Sequence, residues 1–339
     1  MNNATASPHP ALIALDWGSS NLRAYLLDGH GAVIDSRESA HGIRQLPAPV
    51  AEGGARIALA ALVADWLAAT PGLPMMAAGM IGSRQGWHEV PYQTCPAALA
   101  SLGQHGVTFD TGLGNLLTIA PGLIVHGPGG TADVMRGEET QVLGALQTLG
   151  TDSAFVLLPG THAKWVQVEQ GVIITFGTYM TGELFALLQA HSLLGAVMPT
   201  LLPDTPLNAT IFLQGVAESQ GASAGDLLHL LFGLRARVLA GRLEPAALAD
   251  HLSGLLIGAE VSAAAQRWAG RWGSDSPLVL VGTPALCERY ALALKACGLP
   301  PGQVVASATV AGLWRMSQMT AQMTAMTPSV QVTEKIGIG

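Results

Sequence analysis

The chain uses one layout twice. Leu12–Ser36, "LIALDWGSSNLRAYLLDGHGAVIDS", and Leu158–Thr175, "LPGTHAKWVQVEQGVIIT", both run strand, Gly plus hydroxyl residue, strand, Gly turn, strand. Gly18–Ser19 in the first answers to Gly160–Thr161 in the second, and Gly31 to Gly171, about 140 residues apart. A restart on that scale predicts an α/β protein of two related domains. Each opens with a hairpin, and the two hairpin turns face each other across a cleft. The expected boundaries are 1–150 for the first domain and 151–318 for the second. A polar tail follows at 319–339, and the last helix is expected to pack back on the first domain.

The bulk numbers agree with two packed cores. The 339 residues are 49% hydrophobic and only 12% charged, unlike a disordered chain. A formal net charge of −7 leaves no basic surplus for nucleic acid or an anionic membrane. The three cysteines, Cys95, Cys287 and Cys297, form no CxxC pair, so reduced cytosolic thiols are expected rather than a disulfide framework or a zinc site. "MNNATASPHP" has no basic region followed by an apolar core, and Arg235 and Arg237 interrupt the apolar run "LLHLLFGLRARVLAG". These features predict a cytoplasmic protein that acts on small molecules.

Between the hairpins, "GGARIALAALVADWLAAT" reads as a helix and "PMMAAGM" as a buried strand. A long irregular segment follows, "IGSRQGWHEVPYQTCP". "GPGGTADVMRGEETQVLGALQTLG" reads as a Gly-rich loop feeding a helix that starts near Val134. After the second hairpin come helices at about 208–220, 225–240 and 246–269, a buried strand "PLVLVG", a helix "PALCERYALALKACG", a strand "QVVASA" and a helix from Thr309 to Ser317.

The first turn is more polar than a reversal requires. Gly18 permits close approach, and exposed N–H groups beside Ser19, Ser20 and Asn21 make a concave anion site. Asp16 at the strand end would repel a phosphate unless a Mg²⁺ stood between them; Mg²⁺ is commonly held by one or two carboxylates together with substrate phosphates. The residues therefore point to a metal–nucleotide site, with an ordinary Asx or Ser turn as the plain alternative. The chain has no GxxxxGK[ST], GxGxxG or HExxH motif.

Five segments in order, "DWGSSNLRAYLL", "GMIGSRQGWHEVPY", "DVMRGEETQ", "LPGTHAKWV" and "MTGELFALL", resemble the 2-dehydro-3-deoxygalactonokinase family of the actin–hexokinase–Hsp70 superfamily. The resemblance covers roughly residues 11–317. It implies two ribonuclease-H-like domains of the actin/hexokinase type. It also implies an ATP- and Mg²⁺-dependent kinase that phosphorylates the C6 hydroxyl of 2-dehydro-3-deoxy-D-galactonate in D-galactonate degradation.

The resemblance assigns roles as well. Asp133 would be the base that takes the proton of the sugar hydroxyl, with helix capping as its plain alternative. Asp16 would hold the metal. Gly160, Thr161 and Lys164 would face the β- and γ-phosphates, and Gly282 and Thr283 would lie close to the adenosine. A carboxylate substrate calls for a guanidinium. Arg84, on a long loop after a buried strand, is the first choice, and Arg23 and Arg136 are the second. Trp87 and His88 would wall the sugar, with simple packing as the alternative for Trp87. Other readings stand beside this one: a kinase of another 2-keto-3-deoxy sugar acid such as the gluconate epimer, a superfamily phosphohydrolase or ATPase, a sugar-sensing repressor, and a non-catalytic scaffold. A homodimer is compatible with all of them.

Overall fold

The structure is a computed structural model that describes residues 9–199, 206–273, 275–306 and 308–326. The leaderless reading of the first eight residues, and the polar tail from Thr327, lie outside the described residues.

Along the chain come β1 (Pro10–Trp17), β2 (Leu22–Asp28), β3 (Val33–Ser39), α1 (Gly54–Ala69) and β4 (Met75–Ala78). Two short strands follow, β5 (Gln93–Thr94) and β6 (Ala97–Ala98), then β7 (Val107–Asp110), β8 (Leu116–Ile119), β9 (Leu123–His126) and β10 (Ala132–Met135). Next are α2 (Glu138–Leu149), β11 (Ala154–Leu158), β12 (Ala163–Glu169), β13 (Val172–Tyr179) and α3 (Thr181–His191). The last stretch holds α4 (Ala209–Ser219), α5 (Ala224–Leu239), α6 (Leu248–Arg267), β14 (Leu278–Val281), α7 (Pro284–Ala296), β15 (Gln303–Val305) and α8 (Ala308–Met326).

The chain divides into two compact units. One holds the residues through Pro91, Ala100–Gly122 and those from Gly312 on; the other holds Tyr92–Leu99 and Leu123–Ala311. The boundary therefore falls earlier than residue 150. The reason is pairing: β9 forms a sheet with β5 and β10, and α2 packs on β11 and β14 of the second unit. The stretch 132–135, expected as loop running into helix, is strand because each of its residues pairs antiparallel with β9.

Each unit is built on a six-stranded sheet, with order β3-β2-β1-β4-β8-β7 in the first and β15-β14-β11-β12-β13-β6 in the second. In both, three antiparallel strands are followed by two strands that extend the sheet parallel to the first. That shared order is the ribonuclease-H-like topology of the actin/hexokinase fold, and it is present twice. The central strands β1 and β11 are near-continuous apolar runs because both sheet faces are covered.

The first core joins Ile13, Leu15 and Trp17 of β1 to Leu59, Val63 and Trp66 of α1. The second joins Phe155 and Trp165 to Phe212, Val261 and Tyr290 from α4, α6 and α7, and Trp165 stacks on Trp268 at 6.1 Å. Burying such aromatic side chains contributes roughly 1.5–3 kcal/mol each. The closing helix α8 runs to Met326, well past Ser317, because "QMTAQMTAM" is rich in Met, Gln and Ala, which favour helix. No helix among the described residues is long and apolar enough to cross a membrane.

Candidate active site

The first turn joins β1 to β2. Gly18 N–H donates to the Asn21 carbonyl at 3.0 Å and closes it. The carbonyls of Gly18, Ser19 and Ser20 all turn one way, accepting from the N–H groups of Ile43, Arg44 and Gly42 at 3.0–3.1 Å. With the carbonyls so occupied, the N–H groups of Ser19, Ser20 and Asn21 have no hydrogen-bond partner among the described residues. The approach is tight enough to require glycine at 42, where a Cβ would lie 2.3 Å from the Ser20 carbonyl carbon.

Asp16 stands one residue before the end of β1, its carboxylate 3.8 Å from the Arg23 guanidinium. Burial raises its pKa, Arg23 opposes the rise, and Glu38 adds to it. Arg23 is chiefly engaged by Glu38, whose Oε1 also accepts from Asn21 Nδ2 at 2.9 Å. The Asp16 carboxylate is a hard oxygen donor next to a turn that carries the Ser19 and Ser20 hydroxyls, the kind of donor that Mg²⁺ takes while keeping most of its own waters. No cluster of three or more His, Cys, Asp or Glu side chains among the described residues could hold a metal by itself.

The segment after β4 is braced rather than loose. Trp87 N–H donates to the Ile81 carbonyl at 2.9 Å, and Val90 N–H donates to Gly82. Trp87 packs edge-on against Trp17 and Phe109, and it belongs to the margin of the first core. His88 lies over Phe109 with ring centres 3.9 Å apart. Arg84 is exposed and its guanidinium has no partner among the described residues. The neighbouring Ser83 Oγ is buried and likewise finds no partner among them.

The second turn repeats the first. The N–H groups of Gly160, Thr161 and His162 find no partner among the described residues, while the Thr161 carbonyl accepts from Glu183 N–H at 2.9 Å. The turn is thereby docked on the N-terminus of α3, where the helix dipole favours anions. Gly182 allows this approach, since a Cβ there would lie 2.3 Å from the Gly160 carbonyl oxygen. His162 pairs with Glu183 at 2.6 Å. Gly282 and Thr283 open α7 with Gly282 beside Pro159, and Pro284 takes the first helical position.

Lys164 is buried, not open to the turn. Its ammonium donates to the Val134 carbonyl and to Thr178 Oγ1, both at 2.8 Å, and lies 4.0 Å from Glu138. Asp133 stands in the same group: its Oδ1 accepts from Thr178 Oγ1 at 2.6 Å and its Oδ2 from Thr178 N–H at 2.7 Å. Asp133 therefore does not cap a helix, because α2 starts at Glu138 after Gly137. Arg136 is buried with its guanidinium 4.3 Å over the Tyr92 ring. Beside it, Glu139 is fully buried and its carboxyl is pushed up to about 7, first by burial and then by Glu138.

A family model described as 2-keto-3-deoxy-galactonokinase matches residues 16–316. The chain belongs to that family. It is 39% identical to the 2-dehydro-3-deoxygalactonokinase of Escherichia coli (strain K12) over 290 residues, covering 84% of this chain and 90% of that one. A relative from Rhizobium meliloti (strain 1021), named a probable 2-dehydro-3-deoxygalactonokinase, is 36% identical over 287 residues, 84% of this chain and 89% of the other. The crystal structure of a candidate 2-dehydro-3-deoxygalactonokinase from Sinorhizobium meliloti superposes with a TM-score of 0.78 at 33% identity, covering 94% of this chain and 99% of that one.

Several residues that shape the candidate site carry little local signal in the sequence. Gly42 braces the first turn from twenty-odd positions away, Glu38 ties Asn21 to Arg23, and Thr178 holds Asp133 from 45 positions downstream. Outside the site, Glu260 is a lone carboxylate in the apolar run "LLIGAEVSAAA" and is buried in the core of the second unit.

Proposed function

We propose that this protein transfers the γ-phosphoryl group of ATP to the C6 hydroxyl of 2-dehydro-3-deoxy-D-galactonate, releasing ADP, in the cytoplasm during D-galactonate breakdown. The observation that carries the reading is the family match over residues 16–316, which takes in every residue assigned a role below. Phosphoryl transfer asks for positioning, charge neutralisation and a base near the acceptor. Asp133, held by Thr178, accepts the hydroxyl proton as the oxygen attacks phosphorus. The uncommitted N–H groups at 19–21 and 160–162, with the Ser19, Ser20 and Thr161 hydroxyls, take phosphate oxygens. Mg²⁺, held through Asp16, would neutralise charge on the transferring phosphate. Lys164 fixes the Asp133–Thr178 group instead of reaching a phosphate itself. Arg84 grips the sugar-acid carboxylate.

A coupled ADP-release assay across a panel of 2-keto-3-deoxy sugar acids tests the reading. Turnover is expected with the galactonate-derived acid and a lower kcat/KM with its gluco epimer. ADP release at the same rate without any sugar acid would make the protein an ATPase, and a preference for the gluco epimer would reassign the substrate.

A further inference from the structure

Glu260 of α6 is buried in the second core, and the mechanism above gives it no part. A carboxylate in such a place is costly unless donors meet it. Three do. Trp165 Nε1 donates to Oε1 and the Tyr290 hydroxyl to Oε2, both at 2.7 Å. The Thr181 hydroxyl is hydrogen-bonded to the same carboxylate.

Two of these donors belong to the two supports of the second turn. Trp165 is the third residue of β12, the strand that the turn enters. Thr181 is the first residue of α3, the helix on which the turn rests. There Glu183 N–H donates to the Thr161 carbonyl at 2.9 Å, and Gly182 lies so close to Gly160 that a Cβ would meet its carbonyl oxygen at 2.3 Å. Tyr290, from α7, fixes the carboxylate by its other oxygen. Apolar contact alone lets a strand and a helix slide past each other, whereas a fully satisfied buried polar network fixes one arrangement. The directions of the Gly160, Thr161 and His162 N–H groups follow from where β12 and α3 stand.

We infer that Glu260 is a positioning residue for the nucleotide phosphates: by holding Trp165 and Thr181 on one carboxylate it fixes β12 and α3, and through them the N–H groups of residues 160–162. This rests on the kinase reading above, which puts phosphate oxygens at that turn. Glu260 acts through its two neighbours and not by contact with the nucleotide.

The test is calorimetric titration of the full chain with ATP and with AMP, both in Mg²⁺. AMP keeps the base, the ribose and one phosphate but lacks the β- and γ-phosphates. Glu260→Met has an unbranched side chain of similar length and no carboxylate, and Thr181→Val loses the hydroxyl. Each should weaken ATP binding by roughly three- to thirtyfold and leave AMP binding as in wild type. Thr181→Ser keeps the hydroxyl and should restore the wild-type affinity for ATP. Val261→Ala removes packing from the same core without touching the ties. It should lower the melting temperature and keep both affinities. Glu260→Met combined with Thr181→Val should weaken ATP no more than Glu260→Met alone, because the two residues act through one bond. Should Glu260→Met not fold, Glu260→Gln, which retains one acceptor oxygen, makes the same comparison with a smaller loss. Unchanged ATP affinity in the folded Glu260 variant and in Thr181→Val would overturn the assignment. So would an equal loss for ATP and AMP, or losses that add in the double variant, because Thr181 would then meet the nucleotide directly. Wild type that binds ATP no tighter than AMP would instead sink the parent reading of the second turn.

Discussion

Both carboxylate oxygens of Asp133 are held by one residue, Thr178, through its hydroxyl at 2.6 Å and its backbone N–H at 2.7 Å. The carboxylate proposed as the base is thus held by a strand of the sheet, β13, and not by the loop that precedes it. The same hydroxyl accepts from Lys164, so the aim of the carboxylate depends on a buried ammonium as well.

Asp133→Asn is nearly isosteric and leaves both substrates able to bind, so KM should change little. kcat should fall by roughly two decades or more, because the proton acceptor is gone. Thr178→Val keeps the N–H and loses the hydroxyl; it should lower kcat by about tenfold with ATP affinity unchanged. Steady-state kinetics with calorimetric binding of the sugar acid separates these effects. Near wild-type kcat in Asp133→Asn would place the base elsewhere.

Asp16 is the residue whose change should show in metal dependence. A neutral amide is a poorer partner for a hard dication, so Asp16→Asn should raise the Mg²⁺ concentration needed for half-maximal rate and reduce turnover. The check is a Mg²⁺ titration at fixed ATP. An unaltered titration curve would remove the metal role from the first turn.

The three candidate guanidiniums differ in what already occupies them. Arg23 is bound by Glu38 and lies near Asp16, and Arg136 is buried over Tyr92, while Arg84 is exposed without a partner among the described residues. Arg84→Ala should therefore raise the sugar-acid KM by about one to two decades, the worth of a charged hydrogen bond, and leave ATP binding nearly intact. Unchanged sugar-acid KM would pass the role to Arg23 or Arg136.

The pattern of these assignments shows which features a sequence carries openly. Both hairpins were legible because an apolar run, a Gly turn and a second run are local signals. The strand identity of 132–135 was not, because it is conferred by pairing with β9 and not by its own residues, "ADVM". Asp133 was chosen by its place in a family motif, but the residue that holds it lies on another strand. Lys164 sits in "THAKWV" as though it belonged to the turn; only the alternation of β12 turns its side chain inward to Val134 and Thr178.

Gly42 supplies a test of the first turn that touches no ligand-binding side chain. A methyl group there would collide with the Ser19 and Ser20 backbone at 2.3–2.4 Å, where neither neighbour is a flexible side chain that can yield. Gly42→Ala should displace the 19–21 N–H groups and lower kcat/KM for ATP by at least about tenfold, because displaced donors no longer meet the phosphate oxygens. Gly29→Ala, where an added Cβ meets nothing within 4 Å, is the matched control and should behave as wild type. Equal kinetics for the two variants would show that the geometry of the 18–21 turn does not matter to ATP.

Glu260 makes the stability of the second unit depend on pH. Its carboxylate accepts from Trp165 Nε1 and from the Tyr290 hydroxyl, both at 2.7 Å, in the middle of the core. Burial nevertheless dominates those hydrogen bonds and pushes its pKa from 4.5 up to about 7. Between those two values the folded protein keeps a proton that the unfolded chain has released. Glu260 therefore contributes its full stability below about pH 4.5, and that contribution is lost as pH rises through about 7. Glutamine keeps an acceptor oxygen and does not titrate. The melting temperature of wild type minus that of Glu260→Gln should accordingly fall between pH 5 and pH 8. Glu139, pushed up to about 7 as well, is present in both proteins and leaves a common slope that cancels in the difference. Thermal melts of the two proteins at pH 5, 6, 7 and 8 make the comparison. Curves that stay parallel across that range would mean that Glu260 does not change its charge there, and that its hydrogen bonds with Trp165 and Tyr290 outweigh the cost of burial.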